Sequence, residues 1–215
     1  MPSSDLDTSN SMSEVVTHNA PEPKPLAGFR AALGRRSVVL VGIMGAGKSS
    51  IGRRLAARLG IPFVDADTEI EKAAGMSISE IFSAHGEPYF RAGEARVIAR
   101  LLEGGPQVLA TGGGAFMNAD TRTAICAKAV SVWLRATLEV INRRIKRRGD
   151  RPLLKNSDPE ATLRRLIDER YPVYAEAHLT VESRDVPHET IVDEILEGLR
   201  IRLASEGGAP DNIAS

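Results

Sequence analysis

Cysteine is all but absent from this chain. Cys126 is the single one in 215 residues, which excludes an internal disulfide and suits a reducing compartment. It lies in an apolar-spaced segment and reads as a packed structural thiol. Charge of one sign is lacking too. The 28 Lys plus Arg balance 28 Asp plus Glu, so no global field advertises nucleic acid or an acidic membrane surface. No run approaches the ~18 apolar residues that cross a bilayer. Residues 1–36 contain no apolar core of the secretory kind, their first arginine is Arg30, and Asp5, Asp7, Glu14 and Glu22 argue against an organellar transit peptide. The expectation is a cytoplasmic protein with a solvated, disordered tail over 1–36 and a flexible one over 205–215. Internal repeats are missing as well, and no second domain has room between those tails. A single domain over 37–204 follows, large enough at 42% apolar residues for a proper core.

What is present alternates. Strand-like runs occur at SVVLV (37–41), PFVD (62–65), QVLAT (107–111), VSVWL (130–134) and HLTVES (178–183). Helical periodicity fills 48–59, 67–74, 77–84, 87–102, 138–148, 159–177 and 190–203 between and after them. Strands separated by helices predict an α/β fold of three layers, α/β/α, around a central five-stranded parallel sheet. Ile78, Ile81, Phe82, Val97, Ile98, Leu101 and Leu102 fall at helical spacing and are expected in the core.

The first strand runs into GIMGAGKSS, residues 42–50. Gly42 through Ser49 fit G-x-x-x-x-G-K-[ST], with a strand before and a helix after. Glycines let the backbone turn so that successive N–H groups converge on phosphate oxygens. The helix starting near Lys48 adds its positive end. Lys48 can reach the β- and γ-phosphates, and the Ser49 hydroxyl can ligate Mg²⁺. Gly45, Ala46, Gly47, Lys48, Ser49 and Ser50 are therefore the candidate phosphate site. This loop serves GTPases, transporters, motors and small-molecule kinases alike.

Three further features narrow the class. Asp65-Ala66-Asp67 closes the second strand, where strand ends face the ligand crevice of a parallel sheet. One of the two carboxylates is expected to cap the following helix, with Asp67 the choice, and the other is left for chemistry. Thr111-Gly112-Gly113-Gly114-Ala115 closes the third strand, and consecutive glycines favour a platform that something approaches closely. That strand ends in glycines where a GTPase would carry an acid, no N-K-x-D sequence reads guanine, and a transporter or motor ATPase would want a longer chain. RGDRPLL, 148–154, lies between two helices and suits a mobile flap whose Arg151 closes over a transferring phosphoryl group.

GIMGAGKSS, FVDADTEIE, FRAGE, TGGGA, RPLL and RYPVY occur in the order and spacing of the shikimate kinase family, which the chain resembles from about Ser37 to Leu203. The resemblance implies a phosphate-loop kinase fold with a lid over about 148–160. It implies ATP as co-substrate, Mg²⁺ as cofactor and shikimate as acceptor. No exposed apolar stripe demands a partner, so a monomer is expected, binding neither nucleic acid nor membrane. Carried over residue by residue, it places Asp67 on the accepting hydroxyl and Asp65 near Mg²⁺ through water. Arg91 and Arg170 meet the substrate carboxylate, Glu94 steadies Arg91, and Gly113 and Gly114 offer backbone N–H groups. Arg151 becomes the lid arginine. Arg144 takes the position that stacks on adenine, and the Arg184–Pro187 turn the position of the adenine loop. The basic run 143–151 then reads as a helix and lid facing ATP. Trp133 and Phe116 are assigned to packing, Phe63 and Phe90 to the rim of the substrate pocket, and His85, His178 and His188 to no role. Two other readings stand beside this one: a related hydroxy-acid kinase such as a gluconate kinase, and a non-catalytic nucleotide or shikimate sensor.

Overall fold

In a computed structural model, residues 29–148 and 158–207 are described. Five parallel strands form one sheet in the order β2-β3-β1-β4-β5. Strand β1, Ser37–Val41, has every residue buried. Its unbroken apolar run is what a strand covered on both faces requires. It pairs with β3, Val108–Ala110, through Val39↔Leu109, and with β4, Ala129–Arg135, through Val39↔Ser131. Strands β2, Phe63–Asp65, and β5, Leu179–Glu182, form the edges. The chain passes from β1 out to β2, returns to β3 and then crosses to β4. The order therefore reverses beside β1, and the ligand crevice of such a sheet opens at the carboxyl ends there.

Helices cover both faces: α1 (Phe29–Leu33), α2 (Lys48–Leu59), α3 (Ala66–Ala74), α4 (Ile78–Glu103), α5 (Ala119–Lys128), α6 (Leu138–Arg148), α7 (Pro159–Tyr174) and α8 (His188–Gly207). The predicted three-layer architecture is the observed one. Helix α4 opens with a capping box, in which Ser77 Oγ accepts from the Glu80 N–H and Glu80 accepts from the Ser77 N–H. At Gly86 the backbone leaves helical geometry (φ 78°, ψ 176°), which divides α4 into the two segments expected from periodicity. Ile70, Ile81, Phe90 and Val97 join α3 to α4 in a small core of their own, apart from the main core around the sheet. Phe90 packs inside this cluster with the Arg91 guanidinium 5.0 Å above its ring, and Phe63 lies against α2 with the Arg53 guanidinium over its ring. Trp133 and Phe116 pack in the main core, as predicted.

The folded boundaries differ from 37–204. Helix α1 precedes β1, its Leu33 is fully buried, and Arg36 pairs with Glu206 on α8, which itself continues to Gly207. Residues 29–36, expected in the tail, thus belong to the folded unit. Helix α5 was not expected at all. Its apolar signal is faint, with only Thr121 and Ile125 buried, although Asn118 caps it. Among the described residues, no helix is long and apolar enough to cross a membrane.

Candidate active site

The phosphate loop leaves β1 at Gly42. A Cβ there would stand 2.8 Å from the Leu134 carbonyl oxygen, and φ is 137°, so only glycine fits. Gly47, also at positive φ, precedes α2 and directs that helix's first N–H groups back into the loop. Lys48 Nζ donates to the carbonyls of Gly42 at 2.7 Å and Ile43 at 3.1 Å. A cleft of about 650 Å³ opens in front of the loop, and Gly45, Gly47, Lys48, Ser49 and Ser50 line it.

Across from the loop, Asp65 and Asp67 divide their labour differently from the expectation. Asp65, at the end of β2, is the N-cap of α3: its Oδ1 accepts from the Asp67 N–H at 3.2 Å. Its Oδ2 accepts from Ser49 Oγ at 2.8 Å. One carboxylate therefore ties the helix start to the loop hydroxyl. Asp67 sits one step inside the first turn, lining the cleft, and does not cap. Burial raises its pKa above the ordinary aspartate range, repulsion from Asp65 adds to that, and Lys48 opposes both.

Beyond Asp67 lies a second polar cluster. Glu94, 2% exposed, accepts from Arg91 Nη1 at 2.6 Å, and Arg91 also donates to the exposed Glu87 at 3.1 and 3.2 Å. Burial raises the Glu94 pKa against the pull of Arg91. Its other oxygen finds no hydrogen-bond partner among the described residues. Arg170, on α7, donates to the Gly113 carbonyl at 3.1 Å, and the Tyr174 hydroxyl donates to the same oxygen. Burial pushes the Tyr174 pKa up to about 12, so it stays a donor at any ordinary pH.

The glycine run owes much of its composition to these side chains. A Cβ on Gly112 would meet Glu94 Oε1 at 2.8 Å and Asp67 Oδ1 at 2.9 Å, and one on Gly114 would meet the Arg91 guanidinium at 2.5 Å. Only Gly113 has ordinary room, with its nearest neighbour at 3.5 Å. The close approach inferred from sequence is real, but at Gly112 and Gly114 the approaching groups are the protein's own.

At the opposite end of the cleft, Arg144 on α6 donates to Ser183 Oγ at 2.9 Å, to the Arg184 carbonyl at 2.8 Å, and to the Gly45 and Ala46 carbonyls at 3.3 Å. Pro187 lines the cleft, with Asp185, Val186 and His188 beside it. The Arg184 side chain pairs with Glu194 at the surface and does not line the cleft. Arg151 and most of the expected lid lie outside the described residues. Asp185 falls within the 184–187 turn that the resemblance gave to the adenine loop, whereas sequence reasoning missed His188 and Ser183, neither of which belongs to a spaced motif. His178 is structural: its Nδ1 accepts from the Ser131 N–H at 3.1 Å.

This arrangement matches known proteins. A family model described as shikimate kinase matches residues 44–200. The chain belongs to the shikimate kinase family. A shikimate kinase of Bradyrhizobium diazoefficiens is 63% identical over 196 residues, covering 90% of this chain and 95% of that one. Among solved structures, a shikimate kinase from Acinetobacter baumannii in complex with shikimate is 38% identical, with a TM-score of 0.76 over 81% of this chain and 98% of that one. A gluconokinase from Sinorhizobium meliloti shares the fold alone, at 20% identity and a TM-score of 0.54 over 80% of this chain and 95% of that one. Shikimate kinase family membership thus rests on similarity through the folded region, and the geometry supplies the site.

Proposed function

We propose that this chain transfers the γ-phosphoryl group of ATP to the 3-hydroxyl of shikimate, giving 3-phosphoshikimate and ADP. The observation that carries the reading is the position of Asp67. It lies between the phosphate loop on one side and the Arg91–Glu94–Arg170 cluster on the other, so one carboxylate can address an acceptor hydroxyl held between them.

The loop N–H groups, the start of α2 and Lys48 hold the β- and γ-phosphates. Ser49 and Asp65 form a pair of hard oxygen donors at the edge of the cleft, which suits Mg²⁺ with water in its remaining positions. When bound, that ion would neutralise phosphate charge. Arg91 and Arg170 take the acceptor's carboxylate, since a guanidinium matches it in bidentate fashion. The backbone N–H groups of Gly113 and Gly114 face an acceptor hydroxyl. Asp67 orients the hydroxyl to be phosphorylated and receives its proton, and its raised pKa makes it a better acceptor than an ordinary aspartate. The loose transition state asks for alignment and charge neutralisation above all. Arg151 supplies part of that charge from the lid over about 148–160, and closure excludes water. Arg144 and the turn ending at Pro187 hold the base. The protein acts in the cytoplasm, as a monomer.

A coupled assay of ADP release decides the matter. Shikimate-dependent release far above the rate with gluconate or with no acceptor is expected. Release with gluconate instead would assign a different hydroxy acid. Folded protein that binds ADP and releases none with either acceptor would make it a sensor.

A further inference from the structure

Ser183 belongs to none of the motifs above, yet it is 2% exposed and lies where the adenine end of the cleft meets the phosphate loop. Its hydroxyl is fully used. Oγ donates to the Ala46 carbonyl at 2.7 Å and accepts from Arg144 Nη1 at 2.9 Å. Its backbone N–H donates to the Arg135 carbonyl at 2.6 Å, which fixes the residue just past the edge strand β5. A loop that turns its N–H groups inward toward phosphates must turn carbonyls outward, and buried carbonyls need donors. Ala46 is itself fully buried, so water cannot supply one. Ser183 and Arg144 are the donors that meet the outer carbonyls at Gly45 and Ala46. Next to them Gly47 holds φ at 96° on entering α2, with Arg144 Nη1 and Ser183 Oγ 3.6 and 3.8 Å from where a Cβ would stand.

We propose that Ser183 is a positioning residue for nucleotide binding, acting through the phosphate loop and Arg144. The hydroxyl holds the Ala46–Gly47 peptide in the orientation that presents its N–H to a phosphate. At the same time it anchors the guanidinium that lines the base end of the cleft. This inference rests on the reading of the loop as the ATP site, and it adds a residue that makes no contact with the nucleotide.

The test is calorimetric binding of ADP and of adenosine to the full chain, with steady-state kinetics alongside. Ser183→Ala removes the shorter of the two hydrogen bonds to the Ala46 carbonyl and leaves Arg144 at 3.3 Å, with its own anchor gone. A lost buried hydrogen bond of this kind corresponds to roughly tenfold in affinity. The expected result is ADP binding weakened about tenfold, adenosine binding changed much less, and the KM for ATP raised while that for shikimate holds. Ser183→Cys keeps the volume with a weak donor, and an intermediate loss is expected from it even if the alanine variant fails to fold. Unchanged ADP affinity in a folded variant overturns the proposal, and so does an equal loss for adenosine and ADP or a parallel rise in both KM values. Failure of the wild-type chain to bind ADP overturns the reading of the site itself, a distinct outcome.

Discussion

Gly114→Ala isolates how the acceptor's anion is recognised. The backbone at Gly114 lies at φ −96°, so alanine brings no conformational strain. Its only effect is steric. The new methyl would stand 2.5 to 2.6 Å from three atoms of the Arg91 guanidinium, and ordinary contact begins at 3.4 Å, so the guanidinium must retreat by about 0.9 Å. It is the end of a flexible side chain, held by Glu94 at 2.6 Å and by the exposed Glu87 at 3.1 Å, and it can move without unfolding anything. The expected change in melting temperature is therefore small. Function is less tolerant. A charge-assisted bidentate contact contributes about 1.5–3 kcal/mol, and losing its alignment corresponds to roughly 10- to 100-fold in affinity. Steady-state kinetics should show the KM for shikimate raised by that factor, with the KM for ATP unchanged. Gly113→Ala, whose neighbours stand at 3.5 Å or beyond, serves as the stability control and should melt like the wild type. A folded Gly114→Ala enzyme whose shikimate KM stays within about twofold of wild type would refute the placement of Arg91 on the substrate, since alignment this tight cannot survive such a shift.

Other perturbations test the remaining parts. Asp67→Asn should lower turnover by roughly 100-fold or more while ADP affinity holds. It should also raise the melting temperature at neutral pH. The Asp67 pKa is raised in the folded state, so its contribution to stability is present below the unfolded value of 3.8 and lost as pH rises through the folded one. The gain over wild type should fade on acidification, and a variant that melts lower at pH 7 would count against this. Asp65→Asn keeps a good N-cap but removes the charge beside Ser49, so calorimetry should show unchanged melting while the Mg²⁺ needed for half-maximal activity rises. For His178 the sign is reversed: burial, with Arg202 nearby, lowers its pKa below 6.5. The stability it contributes is present above 6.5 and lost as pH falls through the lowered value, so His178→Gln should flatten the acid side of the melting profile.

The parts of this molecule legible in sequence are those where one local rule decides. An apolar run followed by glycines and Lys-Ser can be a central strand entering a phosphate loop, and β1 and α2 are that. Elsewhere two rules compete and the margin is one residue. Asp65 and Asp67 are both good caps, and the cap falls to whichever stands at the end of β2, which depends on register with β3 at Asp65↔Ala110. The triple glycine announces crowding without naming its source, because Arg91, Glu94 and Asp67 arrive from elements distant in the chain. Ser183 leaves no signal beyond being a serine at the end of a strand. Its importance comes from which carbonyl of which loop lies opposite, and that is a property of packing alone. Within the 184–187 turn, Glu194 on α8 claims Arg184 and leaves Asp185 at the cleft, a division that depends on packing and not on the turn's own sequence.

If Arg91 takes the acceptor's carboxylate as proposed, its surroundings show how the fold would reserve a cation for that anion. A guanidinium already bonded to two carboxylates looks satisfied, and an incoming carboxylate must displace one of them. The two are not equivalent. Glu87 has 65% of its side chain exposed, and a pair of that kind contributes at most about 1 kcal/mol, since water readily replaces it. Glu94 has 3% of its side chain exposed, and parting it from Arg91 would leave a buried charge unpaired, at a cost of several kcal/mol. An acceptor anion binding Arg91 as proposed would therefore displace Glu87 and leave Glu94 in place. Glu87 contacts Nε and Nη2, the edge of the fork best suited to a bidentate carboxylate, whereas Glu94 holds Nη1 at the far side. The buried glutamate fixes where the arginine stands, and the exposed one keeps its binding edge ordered but readily exchanged. Fixed anchor and labile partner together explain why a charged side chain spaced i, i+4 with one acid and i, i+3 with another can still be available to a ligand.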